Sequence, residues 1–149
     1  MPADHTGLPA ALLAAYRSAV YRVHADGETV DFHIGRRSTR LAMLLEQHGA
    51  RGAAFLTACN PGSTLLPEQE NRAAHAALLA RLGDRPYLPG IALDPAGHWP
   101  GEISVLVPGL EADEARALAA GFRQNALVWI HRDGTPELMI VAVPRAGDS

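Results

Sequence analysis

Hydrophobic positions change period several times along the chain, and each change marks an element. Over residues 8–20 leucine and alanine dominate, with Leu8, Leu12, Leu13 and Tyr16 near helical spacing, which predicts a first helix. Over 21–34 the period drops to two. Tyr21, Val23 and Ala25 alternate with polar residues, Asp26-Gly27 signals a tight turn, and Val30, Phe32 and Ile34 alternate again, as in a β-hairpin. Ser38 or Thr39 can cap a second helix with Leu41, Leu44 and Leu45 on one side, ending at Gly49. Residues 53–59 form a short, almost unbroken apolar run, the pattern of a central strand covered on both faces.

Asn60-Pro61-Gly62-Ser63 reads as a turn, after which Pro67, Glu68 and Glu70 open a helix that Gly83 closes. A weaker strand over 87–93 leads into a loop rich in proline and glycine over 94–102. A strand over 103–107, a helix over 111–120, a strand over 126–130, an Asp133-Gly134 turn and a last strand over 138–143 complete the order αββαβαββαββ. The expectation is one α/β (α+β) domain over 8–143, a mixed sheet of about five to seven strands with helices packed on it. The ends, 1–7 and 144–149, are expected to be flexible.

Connection rules assign strand directions: a helical crossover keeps the direction and a short link reverses it. With the 53–59 strand pointing up, 87–93 points up, 103–107 and 126–130 point down, and the last strand points up. Three distant polar groups then fall on the upper rim of the sheet. Asn60 and Ser63 follow an up strand. Trp99 and Glu102 precede a down strand, as do Gln124 and Asn125. On the helix after Asn60, Asn71, His75, Leu78, Leu79 and Leu82 share one face, which carries Asn71 and His75 toward the same rim.

Composition narrows the chemistry. The 149 residues carry a net charge of -3, and all 13 basic residues are arginine, a balance that argues against a bulk electrostatic grip on nucleic acid or anionic lipid. One cysteine leaves no intramolecular disulfide framework. Apolar runs fall short of the roughly 18 residues a membrane helix needs, and no charged-then-apolar leader opens the sequence, so a soluble, cytoplasmic protein is expected. The seven histidines form no H-x-H, H-x₃-H or H-E-x-x-H spacing, and no glycine-rich phosphate loop is present, so neither a metal nor a cofactor is expected. Arg36, Arg37 and Arg40 could hold one phosphate or carboxylate, although arginines at a helix start more often face solvent. Cys59 with His75 could form a thiol nucleophile and base, but a cysteine ending an apolar strand is more often inert. Ser63 with His75 and Glu102 lacks the Gly-x-Ser-x-Gly elbow.

What remains is a carboxamide-rich rim with Glu102 as the candidate acid or base. Asn60, Ser63, Asn71, His75, Trp99, Gln124 and Asn125 are candidate binding residues. Amides offer a donor and an acceptor in one plane, which suits them to read a small polar metabolite. The alternative is a protein-interaction module in which the same residues only fasten loops.

The motifs Phe55-Leu56-Thr57-Ala58-Cys59-Asn60-Pro61-Gly62-Ser63, Glu70-Asn71, Trp99-Pro100-Gly101-Glu102 and Phe122-Arg123-Gln124-Asn125-Ala126 resemble, in order, those of a bacterial domain of unknown function, family 3293. The resemblance runs over about residues 16–143. It implies no activity, but it singles out the same polar residues. Cys59 stands where the family pattern has tryptophan, which argues against a thiol chemistry common to the family.

Overall fold

The structure is a computed structural model that describes residues 7–141. The helix–strand order is the expected one, with four α-helices and seven strands among the described residues, the strands in a single sheet of order β2-β1-β4-β5-β3-β6-β7. The strands are β1 (Val20–Ala25), β2 (Glu28–Phe32), β3 (Gly52–Leu56), β4 (Leu88–Leu93), β5 (Glu102–Pro108), β6 (Ala126–His131) and β7 (Pro136–Ile140). The helices are α1 (Ala10–Ser18), α2 (Thr39–Gln47), α3 (Glu68–Leu82) and α4 (Ala112–Gly121). The end segments expected to be loose lie outside the described residues save Gly7, as do the last two residues of the 138–143 strand.

Local chemistry explains the boundaries. Asp26 and Gly27 both adopt positive φ, the geometry that a two-residue hairpin turn demands. The Ser38 hydroxyl accepts the Leu41 N–H and caps α2, while Glu111 and Glu114 form a reciprocal capping box on α4. Strand β3 stops at Leu56, three residues before the end of its apolar run. There the Thr57 hydroxyl donates to the Ile103 carbonyl and accepts the Cys59 N–H, so side-chain bonds replace the ladder.

Strand directions agree with those read from the sequence, but the pairing differs from a mixed sheet. Strands β3 and β4 run the same way, yet β5 inserts between them, and every neighbouring pair is antiparallel. The α3 crossover thus skips one position, and the β4–β5 connection folds back to fill it.

Two cores flank the sheet. One packs Leu41, Leu44 and Leu45 of α2 against Val23, Val30, Phe55, Leu106 and Ile130. The other packs Leu78 and Leu82 of α3 and Ala115 and Ala119 of α4 against Ala54, Leu56, Val105 and Leu127. All five β3 residues are buried, as a strand covered on both faces requires. The sheet curls toward α2: after β2, on one edge, Gly35 N and Ser38 N donate to Pro136 O and Gly134 O beside the other edge. A Cβ at Gly134 would run into the Ser38 carbonyl, so this contact needs glycine. The curl makes the α2 side concave, and its upper end is the site described next.

Candidate functional site

Asn60 sits in the left-handed region (φ 49, ψ 62), a conformation asparagine tolerates better than most residues. It is 4% exposed, so its polar atoms must be paired, and they are. Its backbone N–H donates to Asn71 Oδ1 at 2.9 Å. Its Oδ1 accepts Leu66 N–H at 2.9 Å and Asn71 Nδ2 at 2.8 Å. Its Nδ2 donates to Glu102 Oε2 at 2.7 Å. The reciprocal Asn60–Asn71 pair ties the loop after β3 to the first turn of α3.

Gln124 is likewise buried, and its Nε2 donates to the Cys59 and Phe122 carbonyls at 2.9 and 3.3 Å. Gly62 N donates to Arg123 O at 2.7 Å, docking the same loop on the α4–β6 connection. Ser63, with φ 63, accepts Asn125 Nδ2 at 2.9 Å and shares a proton with Tyr16 Oη at 3.3 Å. Asn60, Glu102, Gln124 and Asn125 therefore do meet at one rim.

Between this rim, α1 and the concave face lies a cavity of about 220 Å³. Its floor is aromatic: the rings of Tyr21, Phe32 and Phe55 pack at 5.3–5.5 Å between centroids, and Tyr21 and Phe55 reach the cavity. Tyr21 pairs with Ala92, and Ala92 with Glu102, so the three side chains stand in one row across β1, β4 and β5. The small Ala92 leaves the gap between ring and carboxylate. Leu12, Ala15 and Tyr16 of α1 form one wall, and Trp99 and Leu65 contribute others.

Among the lining residues there is no arginine or histidine, and Glu102 is the only carboxylate. Burial pushes its carboxyl above the usual carboxylate range, offset in part by the bond from Asn60. Asn60 is its one hydrogen-bond partner among the described residues. Burial and the nearby Glu102 charge also raise the Tyr16 and Tyr21 phenols and the Cys59 thiol.

Of the residues expected from the sequence, Asn60, Ser63, Trp99, Glu102 and Gln124 line the cavity. Asn71 and Asn125 stand behind them, holding Asn60 and Ser63. His75 does not line the cavity, and its buried Nδ1 has no hydrogen-bond partner among the described residues. The amides turn toward each other and toward backbone carbonyls, and the walls are mainly apolar where an amide-lined cleft was expected. Cys59 Sγ lies 3.7 Å from the Ile103 carbonyl, and no bond joins it to His75 among the described residues. The arginines near α2 are drawn apart, Arg40 onto Glu28 and Arg37 onto the Asp133 carbonyl. Sequence reasoning missed Tyr16, Tyr21 and Ala92. Their alternating or helical apolar spacing marked them as core, and nothing local showed that α1 would close over the rim.

Residues 56–127, just under half the chain, match the model of a family described as Protein of unknown function (DUF3293). This stretch is similar to DUF3293. The match runs from the last residue of β3 to the start of β6, a narrower region than the resemblance in the sequence suggested, and it holds Asn60, Glu102 and Gln124 together. The α1 wall and Tyr21 come from outside it. No curated protein and no solved structure matches the chain. Among the described residues no group of three or more His, Cys, Asp or Glu side chains gathers as a metal site, and no helix is long and apolar enough to cross a membrane.

Proposed function

We propose that the cavity under α1 is a small-molecule site, used for binding or for a reaction in which Glu102 takes or gives a proton. One observation carries this: a carboxylate with a single hydrogen bond among the described residues faces a cavity with mainly apolar walls. Burying a carboxyl group with one partner costs stability, and nothing in the packing requires an acid there. A carboxyl raised above its ordinary range is also better suited to proton transfer near neutral pH. Asn60 fixes the carboxylate, Gln124 contributes its Oε1, and Asn71 and Asn125 hold the loop. The left-handed backbone of Asn60 and Ser63 supports the same reading, since strained conformations concentrate at ligand clamps.

The bonds made by Asn60, Asn71 and Gln124 suit the competing view that the rim only fastens loops, but that view leaves Glu102 and the cavity without a role. A thermal-shift screen of small amines, amides, acids and alcohols on the parent and on Ala92→Leu decides between them. A compound that binds the folded state raises its melting point. The site reading expects hits on the parent that vanish when leucine fills the gap beside Glu102. Hits unaffected by Ala92→Leu, or none, would favour the fastening view.

A further inference from the structure

The hydrogen-bond inventory of the cavity is lopsided. Asn60 spends one amide N–H on Glu102, and Gln124 spends both of its own on carbonyls. The Thr57 and Ser104 hydroxyls donate to the Ile103 and Glu102 carbonyls, and the Tyr21 hydroxyl to the Tyr16 carbonyl at 2.6 Å. One hydroxyl proton is left over from the Tyr16–Ser63 pair, and that bond is exposed. Among the described residues, the lining atoms without a partner are two acceptors, Glu102 Oε1 and Gln124 Oε1, and one donor, the Trp99 indole N–H. A ligand that meets Glu102 or Gln124 must bring the donor.

Charge points the same way. With no arginine or histidine in the lining, nothing compensates a phosphate or a carboxylate, and Glu102 repels either. The remaining wall is aromatic and aliphatic, from Phe55, Tyr21, Trp99, Leu12 and Leu65, and aromatic faces attract cations. A dry cavity of about 150 Å³ accommodates benzene, so about 220 Å³ takes one ring or a short branched chain with a small head group.

We infer that the ligand of this site is a small organic amine, its ammonium on Glu102 and its apolar body on the Phe55–Trp99 side. The inference rests on the small-molecule reading above and gives it a substrate class. The groups facing Glu102 from α1, β1 and the end of β3 are Tyr16, Tyr21 and Cys59, all held in their neutral forms by burial; β4 presents Ala92, and β5 itself Ser104. Glu102 is thus the group in the cavity that ionises to meet the amine.

The test uses three probes of one shape: phenethylamine, 3-phenylpropionate and propylbenzene. Each is titrated into the parent and into Glu102→Gln at about pH 8, where an alkylamine is still charged. The parent is expected to prefer the amine over both others by about tenfold or more, equivalent to about 1.4 kcal/mol. Glu102→Gln keeps an acceptor for Asn60 and should lose that preference while binding propylbenzene as the parent does. Equal or tighter binding of phenylpropionate, or an amine preference that survives Glu102→Gln, overturns the amine assignment and leaves the cavity a ligand site. If none of the three probes binds the parent, the small-molecule reading falls, and the amine assignment with it.

Discussion

Asn60 Nδ2 and Glu102 Oε2 meet at 2.7 Å across a sequence separation of 42 residues, joining the loop after β3 to the first residue of β5. One partner is saturated and the other is not. Asn60 uses its backbone N–H and both ends of its amide on protein groups, whereas the Glu102 carboxylate accepts one bond among the described residues. That asymmetry separates a fastening residue from a residue left for a ligand.

Asn60→Ala is expected to destabilise the fold by roughly 2–4 kcal/mol, because it strips partners from Leu66 N–H and Asn71 and puts alanine in a left-handed conformation. Denaturant unfolding of the variant measures it. A loss below about 0.5 kcal/mol, the size of a surface substitution, would show that the loop does not depend on these bonds.

Glu102→Gln should behave differently, and its effect should depend on pH. The folded-state pKa of Glu102 is raised, so the stability its proton supplies is complete below the ordinary carboxylate range. That stability is lost as pH rises through the folded value. Glutamine does not titrate. The melting point of Glu102→Gln relative to the parent should therefore climb from about pH 4 to about pH 8. Melts across that range check it; a flat or falling difference would mean the carboxylate is not destabilised by burial.

His75→Leu should stabilise by about 0.5–1.5 kcal/mol, since it removes a buried ring nitrogen with no partner among the described residues. Desolvation also lowers the His75 pKa, so the parent loses stability as pH falls through about 6.5, the unfolded value, and the advantage of leucine should widen there. A variant less stable than the parent at both pH 5 and pH 8 (approximate points either side of the ordinary histidine value) would mean that His75 makes a bond in solution.

Gly90→Ala should cost about 1–3 kcal/mol by overpacking. A Cβ there would stand 2.6 Å from the Arg22 carbonyl and 2.7 Å from the Phe55 ring, part of the cavity floor. Thermal unfolding reads the loss, and an unchanged melting point would mean that the floor can shift.

The strand directions and the shared rim were legible because they follow from connection lengths and turn residues. The place of β5 between β3 and β4 was not, since a helical crossover fixes the direction of the next strand but not how many positions it skips. Asn60, Glu102 and Gln124 stood out as polar residues beside apolar strands. The sequence could not tell which of them were already saturated: that depends on the Asn60–Asn71 and Gln124–Cys59 bonds, made across 11 and 65 residues. His75 lay on the right helical face by period, but the cavity ends before reaching it. The wall supplied by Tyr16 was hidden because the docking of α1 leaves no mark in its own apolar spacing.

The central claim is that a ligand enters the cavity beside Glu102. The most direct measurement is an NMR titration of the labelled protein with phenethylamine, following the Trp99 indole N–H and the amides of Phe55, Ala92, Glu102 and Gln124. The expected result is a saturable shift concentrated on those resonances. Shifts confined to outward-facing surface residues, or no saturable shift for this or any other small probe, would contradict it.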